Sequence, residues 1–363
     1  NSLGGFPGVA PLAQYGDEKM RLGWADAGII VPWTVWKQFG DTQIIEESWN
    51  AMDLFMNHIN DTKYNHETLC GENGNYQWAD WLSYEPLESC SGLAFSPQGP
   101  LPDAVSYWNY LSASYWVIDA FMMRDMAAAT GRDAAKYQQM ADSAKAYIKK
   151  NFLNEDGTFK TAILNTMQTP ALFALKNQLV EGEAKAKMID RLRENFAQHD
   201  LGTSILMATL TENGMEDIAY ELLFQRKNPS WLYSVDNGAT TIWERWNSYM
   251  IDKGMGPRGM NSFNHYAYGC VCEWIWETVA GIAADPATPG FKHIIMKPIP
   301  DKRLGHVTAE YRSAAGLIKS AWKYEGDTWI WEFTIPKGVT ATVTLPREMK
   351  SKEYGSGTYK VTK

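Results

Sequence analysis

The sequence is poor in everything that would build a disulfide scaffold, a membrane span or a metal centre. Only four cysteines occur in 363 residues, Cys70, Cys90, Cys270 and Cys272, too few to staple a fold. Cys70 and Cys90 flank a loop-like stretch and could pair. Cys270-x-Cys272 sits in an apolar helical pattern, where buried, inert thiols are expected. No apolar run approaches the ~18 residues of a membrane helix. The best candidate, Gly269 to Ala284, is broken by Glu273 and Glu277. The six histidines are scattered, with neither an HExxH nor a CxxC spacing, so no metal and no cofactor is expected. The glycine spacings that cradle phosphates and the GxSxG elbow of serine hydrolases are missing too. Basic residues are in deficit, 34 Lys+Arg against 42 Asp+Glu for a net charge of −8, which removes nucleic acid from the expected partners. The start, Asn1-Ser2-Leu3-Gly4-Gly5, has neither the basic nor the apolar region of a secretory signal, nor an initiator Met.

What is present is aromatic and aliphatic. Apolar residues make up 45% and charged residues 21%, the balance of a soluble globular chain with a large core. Sixteen tryptophans outnumber thirteen phenylalanines, and eighteen tyrosines accompany them. Flat amphipathic rings suit the C–H faces of sugars as well as an aromatic core.

Residues 24 to about 283 read as helices: Asp26 to Lys37, Thr42 to Ile59, Asp103 (as N-cap) to Thr130, and Asp133 (as N-cap) to Phe152. Shorter ones follow, Pro170 to Leu179, Glu183 to Ala197, Thr203 to Thr211 and Met215 to Gln225, and Asn261 to Ile282 is the last long one. Their apolar residues recur at helical spacing, with Gly and Pro between them. Thr62 to Pro102 is loop-rich. About nine helices, joined by alternating short and long connections, fit helix hairpins arranged as an α/α toroid, with long Gly- and Trp-rich loops at one end. A full six-hairpin ring needs twelve, so the first hairpin is expected to be missing or the reading short. At Asp285-Pro286-Ala287-Thr288-Pro289-Gly290 the pattern changes. From there period-two alternation dominates, most clearly in Thr328-Trp329-Ile330-Trp331-Glu332-Phe333-Thr334-Ile335, as in a small antiparallel β-sandwich. The expected division is therefore a toroid over 1–284 and a β-sandwich over 285–363.

Three places set a carboxylate among aromatics: Trp24-Ala25-Asp26, Trp78-Ala79-Asp80-Trp81 and Trp243-Glu244-Arg245-Trp246, the last preceded by Asn237-Gly238-Ala239-Thr240-Thr241. A carboxylate walled by indoles is partly desolvated, which suits it to proton transfer; Arg245 would oppose that by holding Glu244 ionised. Ordinary ion pairs on aromatic helix ends are the bland alternative. Glycoside hydrolysis is the reaction class that needs this equipment, two carboxylates about an acetal and aromatics for the ring. Asn264-His265-Tyr266, expected on the first turn of the last long helix, could add a hydrogen bond to a sugar hydroxyl.

At these residues the chain resembles a known family. Gly5-Phe6-Pro7-Gly8-Val9-Ala10-Pro11, Trp24-Ala25-Asp26-Ala27-Gly28-Ile29-Ile30-Val31-Pro32-Trp33-Thr34, Asp80-Trp81-Leu82, Gly238 to Trp246 and Ser262 to Gly269 follow in the order of the bacterial α-L-rhamnosidases of glycoside hydrolase family 78. The resemblance implies an (α/α)6 toroid followed by a β-sandwich and hydrolysis of α-L-rhamnosyl residues with inversion. It implies Glu244 as the general base that activates water, and contacts from Asp26, Trp81 and His265 to the rhamnosyl unit. Asp80 and Arg245 neighbour those positions, and Trp243 and Trp246 shape the pocket. The implied partner is a rhamnose-containing glycoside or polysaccharide, which favours an extracytoplasmic setting. One departure stands out. The family's acid motif, Asp-Glu-Arg-x-Gly-Trp, is only mimicked by Met20-Arg21-Leu22-Gly23-Trp24, with Met20 in the acid's place. The motif itself is expected upstream of Asn1, with Asp17 and Glu18 as local alternatives. A carbohydrate-binding toroid without catalysis, another toroid glycosidase and a polysaccharide lyase are the competing readings.

Overall fold

A computed structural model describes residues 5–7, 23–61, 104–196, 205–256, 259 and 261–363. Helices α1 (Ala27–Phe39) and α2 (Gln43–Asp61) form the first described pair. The buried face of α1 is Ile29, Pro32 and Trp36 and that of α2 is Ile45, Met52, Phe55, Met56 and Ile59, the i, i+3/4, i+7 stripe of an amphipathic helix. Then come α3 (Ala104–Ala129), α4 (Ala134–Phe152), α5 (Ala162–Thr166), α6 (Gln168–Lys176), α7 (Gly182–Phe196), α8 (Leu206–Glu212), α9 (Glu216–Phe224) and α10 (Trp231–Asp236). Successive helices pack as hairpins: α3 with α4, α5 with α6, α8 with α9. These are the hairpins of the expected toroid. The sequence reading missed α5, α10 and the two-stranded ribbon β1 (Tyr249–Met250) and β2 (Gly254–Met255), all too short to display a period.

The central member is α3. Tyr107, Trp108, Tyr110, Trp116, Val117, Ala120, Met123 and Met126 are all buried along it, and it touches α1, α2, α4, α5 and α6. A helix apolar on nearly every side belongs inside. The Asp133 side chain caps α4 as expected, accepting from Ala135 N at 3.0 Å and Lys136 N at 3.3 Å. The proposed cap Asp103, the Thr62–Pro102 loop and Cys70 with Cys90 lie outside the described residues.

The last helix departs from expectation. Asn261 to Tyr266 is not helical; a 3-10 turn (Ala267–Cys270), one α turn, α11 (Val271–Trp274), and a π turn (Ile275–Val279) follow instead. The reason is backbone competition: His265 N donates to Ile242 O at 2.9 Å and Asn264 N to Ser262 Oγ at 3.1 Å, so these amides are engaged outside the helix. Cys270 is half-buried, and burial pushes its thiol up to about 11, but Cys272 is exposed. The expectation of two buried thiols therefore holds only in part: helical turns begin at Ala267, six residues later than expected, and Cys272 lies on their exposed side.

The C-terminal body holds two four-stranded sheets. One runs β10 (Gly357–Thr362), β7 (Thr328–Ile335), β6 (Gly316–Glu325), β5 (His306–Ser313), antiparallel throughout. The other runs β3 (Ala283–Ala284), β4 (His293–Met296), β8 (Thr340–Thr344), β9 (Ser351–Tyr354). Here the expectation of a wholly antiparallel sandwich fails at one pair: β4 and β8 are parallel, His293 opposite Thr340 and Met296 opposite Val343. Three strands of the other sheet intervene between them in sequence, and such a crossover is what a parallel pair requires. The alternation in β7 is as expected. Trp329, Trp331, Phe333 and Ile335 are buried, and Phe333 meets Tyr354 of the opposite sheet edge-on at 5.5 Å.

The Pro- and Gly-rich turn at 285–290 is docked rather than slack. Gly290 N donates to Lys37 O at 3.0 Å. Gly40, in the left-handed region at φ 70°, closes α1 by donating to Trp36 O at 2.7 Å. A Cβ on Gly290 would meet Phe39 O at 2.9 Å, and one on Gly40 would meet Pro289 O at 3.0 Å, so the two glycines permit the close backbone approach. At the end of the π turn, Val279 O accepts from Trp322 Nε1 at 2.8 Å and Ala280 O from Ser320 Oγ at 2.6 Å. Helix-end carbonyls are orphans, and here the sheet satisfies them.

Trp331 is fully buried between Trp329 and Phe333, and its Nε1 donates to Ser320 Oγ at 2.9 Å. Trp331→Ala should cost ~3–5 kcal/mol, read as a lowered midpoint in denaturant unfolding.

Candidate active site

The site is built by two loops lying side by side. Glu244 N donates to Ser262 O at 2.8 Å, and His265 N donates to Ile242 O at 2.9 Å. Ser262 N donates back to Glu244 Oε2 at 2.7 Å, and Thr241 Oγ1 donates to Phe263 O. Residues 241–244 and 262–265 are thereby zipped together, which brings Glu244 and His265 into one patch although 21 positions separate them. The bond to the carboxylate is charge-assisted, the stronger class.

Glu244 is half-buried, with Oε2 committed to Ser262 and Oε1 without a hydrogen-bond partner among the described residues. Among the described residues, Glu244 and Arg245 form no ion pair with each other. Arg245 is buried, and its backbone N donates to Ser248 Oγ at 3.1 Å. The flanking indoles are buried as well. Trp243 meets Phe263 at 5.3 Å and Tyr249 at 6.3 Å, both edge-on, and Trp246 stacks on Tyr268 with centroids 3.9 Å apart. Trp231 packs edge-on against Trp246 at 5.4 Å and donates Nε1 to Tyr268 O at 2.9 Å.

These rings wall a cavity of about 270 Å³ beside the Glu244 loop. Trp231, Val235, Ile242, Trp243, Trp246 and Tyr268 give it an apolar lining, with Ser234, Thr240, Thr241 and Arg245 as polar exceptions. The sequence reading supplied Trp243 and Trp246 but missed Trp231 and Tyr268. The isolated Trp231, just after Ser230, carried the only signal.

His265 is exposed, in the loop rather than on a helix. Its Nδ1 accepts from Ala267 N at 3.2 Å. In the neutral ring that leaves the proton on Nε2, a donor on an exposed side chain.

Asp26 is enclosed by the helical body. It precedes α1, is 0% exposed, and its Oδ2 accepts from Gly23 N. No hydrogen bond joins it to the Glu244 loop among the described residues. It faces a second carboxyl, Asp119 on α3, also 0% exposed, and burial raises both above the usual carboxylate range, Asp119 well above it. Asp119 was missed. Its signal was an acid within the core stripe of α3, beside Trp116, Ala120 and Met123. Asp80 and Trp81, and the alternative acids Asp17 and Glu18, lie outside the described residues. No cluster of His, Cys, Asp or Glu able to hold a metal occurs among the described residues, and none of their helices is long and apolar enough to cross a membrane.

Two family models cover the chain. The bacterial alpha-L-rhamnosidase 6 hairpin glycosidase domain matches residues 1–279, and the bacterial alpha-L-rhamnosidase C-terminal domain matches residues 281–360. An alpha-L-rhamnosidase of Formosa agariphila is 32% identical over 355 residues, which are 95% of this chain and 36% of that protein. One of Streptomyces avermitilis is 30% identical over 355 residues, 96% of this chain and 32% of that protein. Among solved structures, the Streptomyces avermitilis alpha-L-rhamnosidase complexed with L-rhamnose superposes with a TM-score of 0.84 at 28% identity, covering 100% of this chain and 35% of that one. The native Aspergillus terreus enzyme gives 0.85 at 26% identity, covering 99% and 41%. The chain thus spans about a third of the length of the curated relatives it matches.

The loop zipper can be tested without substrate. Ser262→Pro removes the amide that holds Glu244, a bond of roughly 1.5–3 kcal/mol. The amides of Glu244 and His265 should then exchange with solvent deuterium more than about tenfold faster.

Proposed function

The chain belongs to the bacterial α-L-rhamnosidase family, and from that membership we propose that it carries the base-bearing toroid of an inverting glycoside hydrolase acting on terminal α-L-rhamnosyl residues. The supporting observation is the Glu244 carboxylate, anchored through Oε2 and unengaged at Oε1 among the described residues, on a loop zipped to the one carrying His265.

In this reading Glu244 Oε1 takes a proton from water as the water attacks the anomeric carbon, from the side opposite the departing oxygen. Anchoring by Ser262 N fixes the carboxylate's direction, and a base held in place reacts more readily than one that must be ordered first. His265 Nε2–H donates to a sugar hydroxyl. Trp243 and Trp246 stiffen the wall, and Trp81 and Asp80 add contacts to the rhamnosyl ring. Arg245 buttresses the loop from below. Asp26, buried, acts from behind by holding the turn that carries Trp24. The adjoining apolar cavity suits whatever group the rhamnose is attached to, because its lining of rings and aliphatic carbons favours a flat or apolar aglycone. A rhamnose-containing polysaccharide as substrate favours an extracytoplasmic site of action. The division at about residue 284 separates the catalytic toroid from a supporting sandwich.

Tested in the protein that carries this chain, Glu244→Gln should lower kcat on an aryl α-L-rhamnoside by ~10²–10⁴-fold with little change in KM. Unchanged turnover would remove Glu244 from the base role. Proton NMR of the wild-type reaction should show β-L-rhamnose as the first product; the α anomer first would exclude inversion. Rhamnose binding without any hydrolysis would leave a binding toroid in place of an enzyme.

His265→Ala should raise KM more than it lowers kcat, by about tenfold for one lost hydrogen bond to substrate, checked by steady-state kinetics on the same aryl glycoside.

A further inference from the structure

Two acids with no counter-charge among the described residues are buried in the helical body. Asp26 and Asp119 are each 0% exposed. Asp26 Oδ2 is satisfied by Gly23 N, but Asp26 Oδ1 and both oxygens of Asp119 are buried with no donor reaching them. The two carboxyls are close enough to act on each other, and the oxygens left without donors belong to both. Among the described residues, Asp119 is the titratable side chain of α3 that acts on Asp26, and Asp26 the one before α1 that acts on Asp119. Among the described residues no charged group of α2, α4, α5 or α6 acts on either.

Two bare carboxylates cannot persist in this setting. Each would carry the penalty of a buried unpaired charge, and they would repel each other. A single proton removes both costs, since one carboxyl then becomes a donor and the other stays an acceptor. The surroundings decide which. Asp26 lies at the N-terminal end of α1 and accepts from Gly23 N, both of which favour negative charge. Asp119 sits in mid-helix on α3 with no such support.

We propose that Asp26 and Asp119 hold one proton between them, Asp119 donating it to a charged Asp26, and that this bond clamps the turn Gly23–Asp26 onto α3. Asp119 is then a positioning residue. It fixes Asp26, Asp26 fixes Gly23, and the turn between them sets out Trp24, which is 38% exposed. Neither acid needs to touch a ligand, and the clamp is independent of any glycosidase activity.

The clamp has a pH signature. The folded pair keeps a proton that an unfolded aspartate releases above its ordinary value of ~3.9. Over that window the folded state binds more protons than the unfolded one, so stability is fully present below it and falls as pH rises towards the pair's raised value. The slope is about a tenfold loss in the folding constant per pH unit for one proton.

The experiment compares the parent chain with Asp119→Asn and Asp119→Leu in denaturant unfolding at pH 5, 6, 7 and 8. Asn supplies a permanent N–H donor of the same shape. Asp119→Asn should fold about as well as the parent at low pH, and the ratio of parent to Asn folding constants should fall about tenfold per pH unit. Asp119→Leu, which leaves Asp26 without a donor, should be more than tenfold less stable than Asp119→Asn at every pH. A ratio flat with pH, or equal losses in Asn and Leu, would overturn the proposal. Should neither variant fold, the parent alone decides. Its infrared spectrum in heavy water at neutral pD should retain a protonated-carboxyl band, and the lack of that band would overturn the clamp.

Discussion

Everything at the candidate site depends on a short backbone zipper. Loops 241–244 and 262–265 exchange main-chain hydrogen bonds, and the Ser262 amide closes the arrangement on the Glu244 carboxylate. Loops normally fray because their polar groups face water and their contacts are few. These two resist because each satisfies the other's donors while Trp243, Phe263, Trp246 and Tyr268 pack beneath them. The charged oxygen left over at Glu244 and the Nε2 donor of His265 are the chemical residue of that pairing. A carboxylate whose direction is fixed in advance has less to lose on reaching a transition state.

The zipper in turn stands on a frame that spans both bodies of the chain. Val279 and Ala280 end the segment that follows the second loop, and their carbonyls are taken up by Trp322 and Ser320 of β6. At the opposite end of the sequence, Gly290 lies on the last turn of α1 through Lys37 O. The sheet region therefore serves as a cap for helix ends as well as a fold of its own, and its tryptophans do polar and apolar work together. The indole N–H groups of Trp322 and Trp331 both find acceptors, the usual condition for placing Trp in a core.

Asp26 shows how a sequence motif can be silent about a side chain's partner. Trp24-Ala25-Asp26 reads as a carboxylate among aromatics, which directs attention to a pocket. The side chain turns inward to Gly23 and Asp119. No periodicity predicts that partner, because Asp119 is 93 positions away and is distinguished only by occupying a core position of an otherwise apolar helix. Cys272 and His265 went astray for a related reason. Apolar spacing extended the last helix back to Asn261, but hydrogen bonds to Ile242 O and Ser262 Oγ keep that segment extended.

By itself the sequence determined the layers. Apolar residues at helical spacing, caps such as Asp133 and the alternating Trp-Ile-Trp-Glu-Phe of β7 are local properties, and burial of one face follows from them wherever the chain goes. It also determined the family, through blocks of residues rather than single positions. Only the tertiary structure decided which loops lie together, which carboxylate is presented and which is buried, and that β4 pairs parallel with β8. Those are matters of contact between distant segments. They are settled when backbone donors and acceptors must all find partners at once, a condition that no local stretch of residues records.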